Sequence, residues 1–386
     1  MLSDEVIAGG QHVMTVCNAC RYCEGFCPVF PAMENRLTFS KGDLTYLANL
    51  CHSCGECLYA CQYAPPHEFG INVPRTLAEI RLGSYEEYCW PAFLSGAFKS
   101  NGLLTALSLA IGSIALLFAS TAASGAERLR LTDLRGDFYQ VVPHAMMVVL
   151  FAGVSVFVLG ALIIGCVRFR RDERKAVAPS QVAPSQVVSG FSRTVTGRPK
   201  GGHYRDLVSA VRDALTLTHL HGGDVDCTHA EESRSPWRRW FHHFAFYGFL
   251  LCFASTSVAA LYHVAFGWRA PYGYASLPVV LGTAGGMGLL IGPMGLFVLR
   301  QTRDGALTDP AQEGLDTSFI VLLFLTSLTG LVLLGAREEA AMPALLLVHL
   351  GFVLALFLTL PYGKFVHGIY RTAALIRYAR ETRADG

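Results

Sequence analysis

The chain has 386 residues, room for two to three ordinary domains, yet only 16% are charged while 52% are apolar, against roughly 25% charged in soluble globular proteins. That balance excludes a single soluble domain and a disordered chain, and a net charge of +2 gives no global attraction toward nucleic acid. Eight of the 12 cysteines lie between Cys17 and Cys61, and the start, Met1-Leu2-Ser3-Asp4-Glu5, has neither the basic stretch nor the apolar core of a secretory signal. Residues 1–99 are therefore expected in the reducing cytoplasm, where clustered cysteines bind metal.

The first element is a pair of cysteine motifs. Cys17, Cys20, Cys23 and Cys27 follow C-x2-C-x2-C-x3-C-P, and Cys51, Cys54, Cys57 and Cys61 repeat the spacing with Gln62 in place of proline. Three thiolates at two-residue gaps wrap one face of an iron–sulfur cube, and the displaced fourth reaches the other cube. The expected ligand sets are Cys17, Cys20, Cys23 and Cys61 for one [4Fe–4S] cluster, and Cys51, Cys54, Cys57 and Cys27 for the second. Zinc sites use paired C-x2-C knuckles instead. Cys89, Cys166, Cys227 and Cys252 fall outside the pattern, and Cys166 and Cys252 read as small apolar residues.

Six windows follow with no Asp, Glu, Lys or Arg: 100–126, 138–167, 240–268, 270–299, 317–336 and 340–363. Each reaches the ~20 apolar residues that a bilayer span needs. The predicted fold is an α-helical and loop ferredoxin-like domain with two clusters (1–99) followed by an all-α six-span transmembrane bundle. Spans one and two occupy 100–167 and spans three to six occupy 240–367. Between them lies a basic loop, 168–239, with 13 Lys/Arg against 8 Asp/Glu, and a basic tail, 368–386, follows. By the positive-inside rule the N-terminus, the loop and the C-terminus are expected on the cytoplasmic side of a bacterial inner membrane.

Within the loop, Ala178–Val182 is repeated at once as Ala183–Val187, a Pro/Ser/Gln/Val linker with little to bury. A helix is expected over Tyr204–Leu220. His219, His221, Cys227 and His229 match no standard zinc spacing and read as loop histidines. The run Gly282-Thr-Ala-Gly285-Gly286-Met-Gly288 sits mid-span after no strand, so close helix packing explains it better than a nucleotide loop.

Ionisable residues in spans are expensive and point to function. His242 and His263 bracket span three, with His243 a weaker candidate; His349 lies in span six and His367 just beyond it. On one continuous helix, His349 and His367 would share a face about 27 Å apart. With spans three and six antiparallel, His242 is expected to meet His367 near the cytoplasmic side and His263 to meet His349 near the outer side. Opposed imidazoles of this kind ligate haem iron, so one or two haem b groups are predicted. His144 reads as interfacial.

The segment His349 through Leu360-Pro361-Tyr362-Gly-Lys-Phe-Val-His367 resembles the haem-ligating helix of nitrate reductase gamma-type subunits. Cys17–Pro31, Tyr46–Cys51, Cys61-Gln-Tyr-Ala-Pro-Pro-His67-Glu-Phe and Ile71-Asn-Val-Pro74 resemble the tricarballylate utilisation protein B (TcuB) family, the CitB type of citrate utilisation proteins. That resemblance implies a partner FAD-dependent dehydrogenase, TcuA, which oxidises tricarballylate to cis-aconitate. The TcuB-like chain would reoxidise its FADH2 and deliver electrons to membrane quinone, as an electron-transfer subunit and not itself an enzyme. A related fusion in cobalamin synthesis, CobZ, joins similar modules.

Residues 1–99 carry 6 Lys/Arg against 10 Asp/Glu, a charge that would steer a basic docking face. The main rival from another class is a tricarboxylate transporter with a redox-sensing iron–sulfur domain, which would need cations inside the spans. The windows contain none. A self-contained oxidoreductase would need a flavin or substrate motif, and none is present.

Overall fold

The computed structural model describes residues 2–130, 136–175, 203–220 and 236–384, and every regular element among them is a helix. The N-terminal unit is built from α1 (Asp4–Cys20), α2 (Val29–Glu34), α3 (Lys41–Leu50), α4 (Glu56–Tyr59) and α5 (Val73–Tyr88). Ser3 Oγ accepts the Val6 N–H at the start of α1, and Ser40 with Asp43 forms a reciprocal capping box on α3, so both helices start where a side chain satisfies free N–H groups. Helix α1 stops at Cys20 because Arg21 turns left-handed at φ 56°. Helix α3 is buried along its length, Leu44, Tyr46, Leu47 and Leu50 included, because other helices cover every side of it.

The remaining helices are α6 (Ser95–Ser124), α7 (His144–Lys175), α8 (His203–Thr216), α9 (Trp237–Phe266), α10 (Leu277–Gln301), α11 (Pro310–Gly335), α12 (Met342–Thr359) and α13 (Val366–Ala384). Six of them, α6, α7 and α9 to α12, are long and apolar enough to cross a membrane, one for each charge-free window. The chain is a multi-pass membrane protein on that count. Helix α8 coincides with the helix expected in the loop; the repeated linker lies outside the described residues.

The glycine run of span four is a helix-packing face. A Cβ on Gly248 of α9 would meet the Gly285 carbonyl at 2.9 Å, and one on Gly292 would meet the Ala245 nitrogen at 2.4 Å and the Phe241 carbonyl at 2.7 Å. Backbones this close leave no room for a side chain. We expect Gly292→Ala to force α9 away from α10 and destabilise the protein by roughly 1–3 kcal/mol, the usual cost of overpacking. A thermal melt of the detergent-solubilised protein tests this, and an unchanged midpoint would show that the contact is not tight.

The described part of the expected basic tail, residues 368–384, is helical and forms most of α13, which packs against helices of the N-terminal unit. Buried Arg36 bonds to Asp43 at 2.7 Å and to Glu381 at 2.6 Å, and Tyr46 donates to Glu381 at 3.0 Å. Arg377 caps the group, 3.7 Å from Asp43 and 2.8 Å from Glu381. The helix of span six also ends sooner than a continuous reading requires. Pro361 cannot continue the helical ladder; Leu360–Phe365 form turns, with Tyr362 and Gly363 bonded back to the Thr359 carbonyl. His349 and His367 therefore sit on two helices, and the five-turn phase relation between them does not hold.

Candidate cofactor sites

The eight motif cysteines divide into two groups. Cys17, Cys20, Cys23 and Cys61 line a cavity of about 250 Å³, bordered also by Cys57. Burial first, then the neighbouring Cys61, Cys23 and Cys20, pushes the Cys17 thiol up to about 12. In the second group burial raises Cys27, and Cys54 and Cys51 raise it further; Cys57 is raised in the same way, by burial and then by Cys54, Cys51, Cys27 and Cys23. Thiols held this high become thiolates only against a strong positive centre. Among the described residues no three His, Cys, Asp or Glu side chains converge tightly enough to chelate one ion. Cys17, Cys20, Cys23 and Cys61 surround space instead, as ligands of a cluster must, and the second group repeats the same four-thiol composition, so the donor sets fit iron–sulfur clusters.

A second cavity, of about 540 Å³, opens between the N-terminal unit and the helix bundle, within the roughly 300–1,000 Å³ range of cofactor sites. Its walls include Phe246, Phe249 and Leu250 of α9, Phe319 and Leu323 of α11, and Phe365. His242 of α9 and His367 of α13 face each other across it, ring centres 6.0 Å apart and planes at 77°. Two metal–nitrogen bonds of about 2 Å, with roughly 1 Å from each ring centre to its nitrogen, span about 6 Å, so the pair fits bis-imidazole ligation of one metal. The His367 Nδ1 lies 2.5 Å from the Lys364 carbonyl. That contact fixes the tautomer and leaves Nε2 free, the usual support of a ligating histidine. Burial, then Lys364 and Arg371, holds His367 well below the usual imidazole value and so in the neutral, ligating form.

The cavity mouth carries a collar of cations that the sequence did not single out. Arg81 and Arg371 both donate to the Cys51 carbonyl, at 3.0 and 2.8 Å. Arg238 donates to His52 O at 2.7 Å and Ser53 O at 3.2 Å, and Arg303 to Ser53 O at 2.7 Å. All four line the cavity. Burial, then the repulsion of neighbouring guanidiniums, lowers Arg303 and Arg371 to about 10, so both remain charged at neutral pH. Burial lowers Lys364 to about 8, opposed by Asp316 at 2.8 Å.

The other predicted histidines are placed differently. His263 stacks on His144, ring centres 4.0 Å apart, with Tyr139 at the edge; it was expected against His349. His349 contacts α11, its Nδ1 3.2 Å from Thr329 Oγ1 and its ring against Gly330. The cause is the packing: α9 leans on α10 through its glycines, while α12 packs on α6 and α11. His243 turns toward Trp240 and Tyr247. His219 sits 6.0 Å from His52 and 3.9 Å from Asp213, whereas His221, Cys227 and His229 lie outside the described residues.

A helical multi-pass bundle with a cysteine-rich N-terminal unit defines the class, and comparison with known proteins gives the family. The citrate utilization protein B family matches residues 100–386, and its Fer4-like domain matches residues 10–87. The chain is 46% identical over 374 residues to an Escherichia coli protein named citrate utilization protein B, covering 97% of this chain and 92% of that protein. No solved structure matches. The chain belongs to the citrate utilization protein B family, with a Fer4-like N-terminal domain.

Proposed function

We propose that the protein is a membrane-bound electron-transfer subunit that reoxidises the reduced flavin of a soluble partner dehydrogenase and delivers the electrons to membrane quinone. The partner is a TcuA-like tricarballylate dehydrogenase, in keeping with the citrate utilization name of the relative. Two [4Fe–4S] clusters on the eight cysteines and haem b between His242 and His367, when bound, supply one-electron carriers. The observation that carries the reading is one continuous constellation: Arg371 lines the histidine cavity and donates to the carbonyl of the cluster ligand Cys51. The cysteine loops hold one site, the helix ends hold the other, and the guanidiniums between them fix the spacing. The charge pattern of the loops supports a cytoplasmic placement for both, where a soluble flavoprotein docks.

A gene-removal experiment separates this reading from the transporter. Removing the protein is expected to abolish growth on the partner's substrate while uptake of radiolabelled tricarballylate and single turnover of the isolated flavoprotein persist. Loss of uptake would overturn the proposal.

A further inference from the structure

Among the described residues, Arg81, Arg238, Arg303 and Arg371 have backbone or hydroxyl partners and no carboxylate. Four carboxylates also line the cavity, each with another partner: Asp316 pairs with Lys364 while also acting on Arg303, Glu313 pairs with Arg300, Asp213 lies 3.9 Å from His219, and Asp309 caps α11. Each guanidinium has five N–H donors. Arg303 uses Nη2 on the Ser53 carbonyl, and its buried Nε has no partner. Such an orphan donor in a cation-rich mouth calls for an anionic acceptor. All four arginines line the same cavity as His242 and His367, so the collar and the histidine pair belong to one site.

The cavity is thus graded. One part is apolar and aromatic, the middle carries two opposed imidazoles, and the mouth presents guanidiniums toward Cys51–Ser53. A flat amphiphile with a metal at its centre and carboxylates on one edge matches all three zones. A free tricarboxylate matches the mouth and leaves the aromatic part unfilled.

We infer that Arg238 and Arg303, with Arg371 behind them, bind the two propionate carboxylates of haem, so that the carboxylate edge faces the Cys51–Ser53 loop. This inference rests on the haem reading of the cavity. Charge-assisted guanidinium–carboxylate bonds are the strongest and most directional available here, and the same arginines would tie the ligand to the loop whose carbonyls they already hold.

The test is binding of two porphyrins to haem-depleted, detergent-purified protein: iron protoporphyrin IX, and its dimethyl ester, which keeps the ring and the metal but has no carboxylates. Optical titration is expected to show the wild type binding the free acid about tenfold or more tightly than the ester. The double variant Arg238→Gln/Arg303→Gln should bring the two affinities together while keeping the bis-imidazole spectrum. Arg303→Lys should restore part of the preference, and retained iron–sulfur absorption verifies folding. Equal wild-type affinity for acid and ester, with a His242-dependent bis-imidazole spectrum, would overturn the propionate assignment and leave the haem reading standing. Absence of any His242-dependent spectrum with either porphyrin would overturn both. Tricarballylate binding to haem-loaded wild type, lost in the double variant, would assign the collar to a free tricarboxylate and overturn the inference.

Discussion

His367→Ala is expected to remove the low-spin b-type optical spectrum of the purified protein, leaving the iron–sulfur absorption in place. The ring of His367 stands 6.0 Å from that of His242, its Nδ1 is held at the Lys364 carbonyl, and its surroundings keep it neutral. On the proposed haem reading, alanine removes one of the two imidazoles that would hold the iron, together with the Nδ1 contact that orients it. His242→Ala should give the same loss from the opposite helix. His349→Ala is the informative control. His349 bonds to Thr329 and packs on Gly330, so its removal should leave the spectrum standing and cost only packing. If His367→Ala retains the full bis-imidazole spectrum, the ligand pair is misassigned.

The second large effect is expected at the cysteines. The wild type should carry about eight non-haem iron atoms per chain and two interacting EPR signals on reduction. Cys20→Ser should remove or convert the cluster whose ligands line the first cavity. Cys54→Ser should do the same to the other, where Cys51, Cys57 and Cys27 are its neighbours. Either change should bring flavoprotein-driven quinone reduction to background, because the proposed route runs through both clusters. Undiminished transfer in both variants would contradict the electron-transfer reading.

Much of this architecture is written in local sequence. Charge-free windows mark the six long helices because a bilayer imposes length and apolarity on contiguous residues. The cysteine spacing foreshadows the grouping of Cys61 beside Cys17, Cys20 and Cys23 and of Cys27 beside Cys51, Cys54 and Cys57, although the chain between Cys23 and Cys27 is a run of turns and not a helix. The glycines of 282–288 indicate close packing through composition alone.

Long-range features are not legible in this way. Arg36 finds Glu381 from 345 positions away, and Arg371 reaches Cys51 across 320; no periodicity encodes such pairings, so α13 reads from sequence as a charged tail. The depth argument brought His242 to His367, where the two chain segments do meet. His263 and His349 stand apart because α9 packs on α10 while α12 packs on α6 and α11. Arg238 and Arg371 enter the sequence reading only through loop and tail charge, because the meaning of the collar lies in backbone carbonyls of a distant loop.

The most direct test of the central claim uses the purified protein in quinone-loaded liposomes, mixed with the partner flavoprotein and tricarballylate. The account predicts reoxidation of the reduced flavin with stoichiometric quinol formation, dependent on Cys54 and His367. A flavin that stays reduced while labelled tricarballylate accumulates inside the vesicles would contradict it.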